Sequence, residues 1–446
     1  MRDRQPPESG RITDSSTPPT IGRQGSSPSA PQLGARVFWP AVPRFSESLT
    51  FLGLCIYTIA VVTSRVPLAE IGVVIAAVGL FGHLDRVRLP FPVWLYGAFV
   101  LWAFVASLAS QYQDVTGQQI IERFKLWVVM IIALNALQTE ARLRFYLLVF
   151  LACFMVYPGR GTLQSYIGGY HPFGRAVWNY IYENSNDLAA LSLLALGVAL
   201  AIAFSGPART LVRLGAGISA VVLVVVILLT QSRAAFIGLM IGLGPTLISL
   251  AVKRPGRALF SAGILALVIG LTIPAAVWER LSGITKLTST STIALADPEG
   301  SAEQRFEVQK VALQIVVDNP VFGVGLGAYP LENARYAPEL GPKDTHNTYL
   351  NVAAEVGLPG LALWCWLVWS VLRYAYRRRR LAAPGRLSSQ QAWIERALWA
   401  FLVAAIWGSF AALTFPYLML AVLWCSATLL APSSPGPQGV ARTTMA

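Results

Sequence analysis

Residues 214–251 read "LGAGISAVVLVVVILLTQSRAAFIGLMIGLGPTLISLA": two apolar runs, 214–231 and 234–251, parted only by the polar triplet of residues 231–233. At 1.5 Å per residue, each run as a helix comes close to the roughly 30 Å of a bilayer's hydrocarbon core. A tight polar turn between two such runs is the pattern of a hairpin of membrane helices, and the rest of the chain repeats it. Of its 446 residues, 55% are hydrophobic and 13% charged, against about 25% charged in an ordinary soluble domain. That leaves too little polar surface to cover a water-soluble globule, so the fold class is an all-α polytopic membrane protein.

Working outward, spans are expected near 47–64, 67–82, 91–110, 119–138, 143–157, 187–205, 214–231, 234–251, 258–278, 347–372, 396–413 and 415–431. This amounts to about twelve transmembrane helices within a domain of residues 46–431. Residues 1–45 are rich in Ser, Pro and Gly and read as a disordered cytoplasmic tail, and 432–446 as a cytoplasmic C-terminal tail. The first 45 residues lack a signal peptide's apolar core, so the first span is expected to act as an uncleaved insertion signal.

The formal charge of +13 falls mostly in connections between apolar runs and reads as topology, with no nucleic-acid partner expected. With both termini cytoplasmic, the inner connections carry Arg86, Arg88, Arg142, Arg144, Arg209, Arg213, Lys253, Arg254, Arg257 and Arg373–Arg380, as the positive-inside rule requires. Two long connections remain outside: 158–186, and 279–345 between helices 9 and 10. No inverted repeat and no midplane cluster of charged residues is evident, which weakens a transporter reading. The four cysteines, Cys55, Cys153, Cys365 and Cys425, have neither disulfide nor zinc spacing.

The outer face carries the candidate chemistry. His346, in "KDTHNTYLN", is expected in the first turn of a helix capped by Asp344 or Thr345, where the positive helix end keeps the imidazole neutral and fit to act as a base. Its bland alternative is a satisfied interfacial histidine. Ala353, Gly357 and Gly360 then fall within about 40° of the His346 direction on an unbroken helix, a smooth stripe suited to a lipid chain or to helix packing, with Pro359 a candidate break. Arg233 sits at an outer turn, where topology gives no reason for a cation, and seeks a distant carboxylate or a ligand phosphate. Arg305 lies on an amphipathic surface helix with apolar residues at 306, 313 and 317, and has Glu303 and Glu307 as ordinary partners. "GVGLGAYP" (323–330) has alternate glycines able to cradle an anion with N–H groups, or merely to make a loop. Tyr166, Tyr170, His171, Arg175, Trp178, Tyr180 and Tyr182 in the 158–186 loop read as an interfacial belt or a sugar-stacking platform.

"QSRAAFIGL", the loop arginine followed by "DNPVFGVGLGAYP", and His346-Asn347-x9-Gly357-x-x-Gly360 together resemble the O-antigen ligase and O-antigen polymerase superfamily, as does "NDLAAL" at 186–191. The resemblance covers about residues 180–365. It implies an inverting membrane glycosyltransferase of the C type in the bacterial inner membrane, active on the periplasmic face. The donor would be an undecaprenyl-pyrophosphate-linked glycan and the acceptor a hydroxyl of a lipid A-core or of another glycan. His346 would be the base and Arg233 and Arg305 the pyrophosphate ligands, with Asn347, Arg175, His171, Gly357 and Gly360 as second-rank substrate contacts. Polymerisation, protein O-glycosylation and, in another class, transport of a lipid-linked sugar stay open. No cofactor is expected, and no metal: the first outer connection is only a few residues long, and Asp297 and Glu299 lie in a Ser/Thr-rich stretch.

Overall fold

The computed structural model describes residues 45–205, 209–253 and 301–430, with scattered positions between 255 and 270. The expected tails, the span at 258–278 and the Asp297–Glu299 pair lie outside or largely outside the described residues. The described residues are helical, without strands. In chain order the helices are α1 (Phe45–Val62), α2 (Val66–Phe81), α3 (Phe91–Ser107), α4 (Gln113–Ala136), α5 (Glu140–Phe154), α6 (Arg160–Ile167), α7 (Ser185–Phe204), α8 (Thr210–Leu229), α9 (Arg233–Gly242), α10 (Gly244–Lys253), α11 (Ser301–Asp318), α12 (Tyr329–Tyr336), α13 (Thr348–Leu381), α14 (Arg386–Ala404) and α15 (Thr414–Leu429).

Every expected span outside 258–278 overlies one of these helices, yet by length and apolarity five are fit to cross a membrane, or six if the bent pair α9–α10 counts as one. Three shorter apolar helices, α2, α3 and α15, accompany them. Two expected boundaries move. A π turn at Met155–Gly159 carries α5 directly into α6, so the 158–186 connection leaves its helix only at Gly168. The expected span 396–413 stops at Ala404 and gives way to a short 3-10 turn and a loop up to Leu413.

At the centre stands α7, nearly every residue of which is buried, against α8 and α14. A helix apolar all round has to be covered on all sides, and its sequence "LAALSLLALGVALAIA" offers small residues that let neighbours close in. The two ends of the bundle differ in kind. One end gathers the basic connections: Arg86 pairs with Glu47 at 3.1 Å, Arg386 with Glu140 at 3.1 Å, and Arg379 with Glu395 at 2.8 Å. The opposite end gathers the α7, α9 and α13 N-termini, the loops 168–184, 319–328 and 405–413, and His346.

Candidate functional site

The His346 segment is built by a run of good capping residues, Asp344-Thr345-His346-Asn347, of which Asn347 takes the cap. Its Oδ1 accepts from the N–H groups of Tyr349 at 3.0 Å and Leu350 at 3.1 Å, so α13 begins at Thr348 and His346 stands before it. The expected placement of His346 within the first turn is thereby corrected. Instead the residue takes a left-handed backbone, φ 50°, an arrangement that costs a non-glycine residue on the order of 1 kcal/mol or more and persists only where neighbours enforce it.

The enforcing neighbours come from the α14–α15 loop. Thr345 Oγ1 and Ser409 Oγ lie 2.9 Å apart, Thr348 Oγ1 donates to Gly408 O at 2.6 Å, and the Phe410 N–H donates back to Thr348 Oγ1 at 2.8 Å. Asp344 also bonds Ser409. The ring of His346 itself makes no hydrogen bond among the described residues. Burial, then the nearby charges of Arg305 and Lys343, pushes its pKa down to about 4. The neutral imidazole expected from the sequence is thus present, for a different reason than a helix end.

Arg305 comes within electrostatic reach of His346 because of its register on α11. Val308, Ala312 and Ile315 form the buried face, packed on Tyr329 and on Ala353 and Ala354 of α13, and Arg305 lies three and seven residues before the first two. It is therefore half-buried on the inner side, while Glu307 pairs with Lys310 at 2.8 Å on the outer one. Phe306, Leu313 and Val317 are 43%, 55% and 65% exposed, an outward apolar face that suits a membrane surface, as the sequence led one to expect.

A second cluster surrounds Arg233, the first residue of α9. The Ser232 hydroxyl caps this helix, accepting from the Ala235 N–H at 3.4 Å, and donates to Asn186 Oδ1 at 3.0 Å. Arg175 donates to that same oxygen at 3.0 Å and, through Nε, to Thr230 O at 2.9 Å. Arg175 thus ties the 168–184 loop to the turn that carries Arg233. Asp187, next to Asn186, is within electrostatic reach of the like-charged Asp344, so this cluster lies near the His346 segment. Among the described residues, the ring contact of His171 is with Tyr166, centroids 5.0 Å apart.

The glycine positions are explained by packing. Gly357 takes φ 72°, ψ 175° and breaks α13, while Pro359 has no N–H to give. Three carbonyls freed by the break find outside donors: Ala354 O takes the Val324 N–H at 2.9 Å, Glu355 O the Gly325 N–H at 2.9 Å, and Val356 O the Trp102 Nε1–H at 2.8 Å. The orphaned Leu358 N–H donates to Pro320 O at 2.8 Å. A Cβ on Gly357 would lie 1.9 Å from Val321 O, and one on Gly360 would lie 2.4 Å from the Val356 side chain and 3.2 Å from Trp102. The continuous stripe expected beneath His346 is therefore absent, since the helix breaks within it. The alternate-glycine loop spends its N–H groups on α13 instead: those of Val324 and Gly325 go to main-chain carbonyls, and that of Gly327 faces the buried Glu355 carboxyl group, which accepts from Asn351 Nδ2 at 3.1 Å.

Glu355 and Arg123 were not singled out from sequence. Both are buried on helices, α13 and α4, within electrostatic reach of each other, which amends the expectation that the spans hold no charged cluster. A lone Glu or Arg in an apolar helix was the available signal. The contribution of Ser409 had none, because it lies 64 residues from Thr345.

Apolar helices long enough to cross a bilayer, with an imidazole, cations and carboxylates gathered at one end of the bundle, indicate a membrane protein. Residues 218–365, which contain Arg233, Arg305, His346 and Gly357, match the O-antigen ligase family, and this match supports the resemblance to the O-antigen ligase superfamily. Members are glycosyltransferase-like enzymes, which implies a lipid-linked glycan substrate. No curated protein matches the chain.

Proposed function

We propose that the chain is an O-antigen ligase, moving a polysaccharide from undecaprenyl pyrophosphate to a hydroxyl of a lipid A-core acceptor on the periplasmic face of the inner membrane. The observation that carries this reading is the left-handed His346 segment that the α14–α15 loop fixes in place, with Arg305 within electrostatic reach of the imidazole. The acceptor oxygen attacks the anomeric carbon, and His346 takes its proton. The bond from that carbon to the pyrophosphate oxygen breaks on the opposite face, inverting the centre. Arg233 and Arg305 hold the departing pyrophosphate through fork-shaped contacts that Lys cannot reproduce. Because a base with a pKa of about 4 is weak, arrival of the pyrophosphate also matters: its charge offsets Arg305 and raises the proton affinity of His346.

The test is complementation of a strain lacking the gene with His346→Ala, with membrane insertion verified. Lipid-linked polymer accumulating beside unmodified core is the expected outcome. A single repeat unit on the core would mean a polymerase, and normal surface glycan would remove His346 from the chemistry.

A further inference from the structure

A groove of about 680 Å³ opens between α1, α2 and α4 on the face of the bundle that carries His346. Its walls are largely apolar, among them Tyr57, Val61, Val73, Val74 and Phe415, and Ala412 to Thr414 of the α14–α15 loop close one side. Arg123 lines it. This residue is only 8% exposed, and its one hydrogen bond among the described residues runs from Nη1 to Ala412 O at 3.3 Å. Among the described residues its guanidinium makes no other hydrogen bond, and the residue lines the groove. Behind it lies the Glu355 carboxyl group, which accepts from Asn351 Nδ2 and is within electrostatic reach of Arg123 without a hydrogen bond between them.

A buried guanidinium with open donors is expensive unless an anion or water meets it. At the rim Lys125 pairs with Glu122 at 2.8 Å and also feels Glu70, so the two carboxylates there are engaged by one lysine. Arg65 at the rim is exposed and makes no ion pair among the described residues. An apolar trough ending on Arg123, with Arg65 at its mouth, matches a molecule with a hydrocarbon chain and a phosphate.

The donor's pyrophosphate is assigned above to Arg233 and Arg305, on α9 and α11, neither of which lines this groove. Its α14–α15 wall, however, is the loop whose Gly408 and Ser409 hold the His346 segment. We propose that this groove seats the phosphate-bearing acyl-lipid anchor of the acceptor, with Arg123 as the buried phosphate contact. The word acceptor rests on the ligase reading; the binding itself does not.

The experiment is titration of the detergent-solubilised full-length protein, stripped of lipid, with a synthetic tetra-acylated glucosamine disaccharide bisphosphate, the bound lipid being counted by native mass spectrometry. One lipid should bind per chain, and removing its phosphates or introducing Arg123→Gln should weaken binding roughly tenfold or more, the scale of one charge-assisted contact. Val74→Trp fills the groove from a position already 61% exposed, so it spares the fold and should abolish binding. Arg233→Gln should leave this binding intact. Equal affinity in wild type, Arg123→Gln and Val74→Trp overturns the site. Undecaprenyl phosphate binding more tightly than the acylated probe, with the same sensitivity to Val74→Trp, overturns the assignment to the acceptor. Should His346→Ala transfer glycan normally while these results hold, the ligase reading falls and the groove stands.

Discussion

Replacing Arg305 by Gln probes the electrostatic core of the site without touching the histidine. In the folded chain His346 is driven from its ordinary value of 6.5 to about 4, a penalty on protonation on the order of 3 kcal/mol. Burial is the largest cause, with Arg305 second and Lys343 third, so Arg305 accounts for less than half of the depression. Arg305→Gln should therefore raise the His346 pKa perceptibly, yet leave it below 6.5. The chain has three histidines, His83, His171 and His346, so a carbon-13 histidine label in detergent gives a spectrum simple enough to assign with His346→Gln. The expected result is one resonance that stays neutral down to about pH 4 and titrates at higher pH in Arg305→Gln. Titration of wild-type His346 near 6.5, or an unchanged value in the variant, would refute the reasoning. In the active enzyme, donor binding should do what the substitution does, placing the acid limb of kcat above that of kcat/KM.

Other outcomes follow from the same geometry. Because the native state resists protonating His346 while the unfolded chain does not, stability should fall as pH drops below 6.5 and level off below about 4, by up to about 3 kcal/mol; an acid-dependent melting shift that disappears in His346→Gln would show it. Gly357→Ala should cost roughly 3 kcal/mol or more, combining a left-handed backbone with a Cβ driven onto Val321 O, measured as a large fall in Tm or loss of inserted protein. Thr348→Val strands the buried Gly408 carbonyl and Phe410 N–H and should cost about 2–4 kcal/mol, with transfer falling further than insertion. Arg233→Lys keeps the charge but loses the fork, and should lower transfer at least tenfold while leaving expression unchanged; near-wild-type transfer would mean that a point charge suffices.

The helices were readable because apolar runs of this length have few alternatives, and the basic connections fall at one end of the bundle as their spacing implies. The start of α13 was harder. Asp344, Thr345 and Asn347 are all good caps, and only the structure shows that Asn347 wins by reaching two N–H groups at once. Pro359 drew attention as a breaker, but the turn is made by Gly357, since a left-handed residue two positions earlier frees the carbonyls that Val324, Gly325 and Trp102 then need. Arg305 has Glu303 and Glu307 as ordinary partners in the sequence, which left a solvated pairing open beside a pyrophosphate role, and its spacing to Val308 and Ala312 puts it on the inner face. Contacts such as Thr345 with Ser409 or Trp102 with Val356 join residues far apart in the chain, and no local pattern encodes them.

The clasp between the His346 segment and residues 408–410 also sets an order of events during synthesis. His346 leaves the ribosome well before Gly408, so the groups that force its left-handed backbone do not yet exist when it first reaches the membrane. The imidazole segment takes up this conformation only once α14 and the loop after it have been made and have folded back. A chain cut before residues 408–410 would thus carry His346 and Arg305 yet lack the contacts that hold the turn at His346, so the shape of that turn is settled by residues made some sixty positions later.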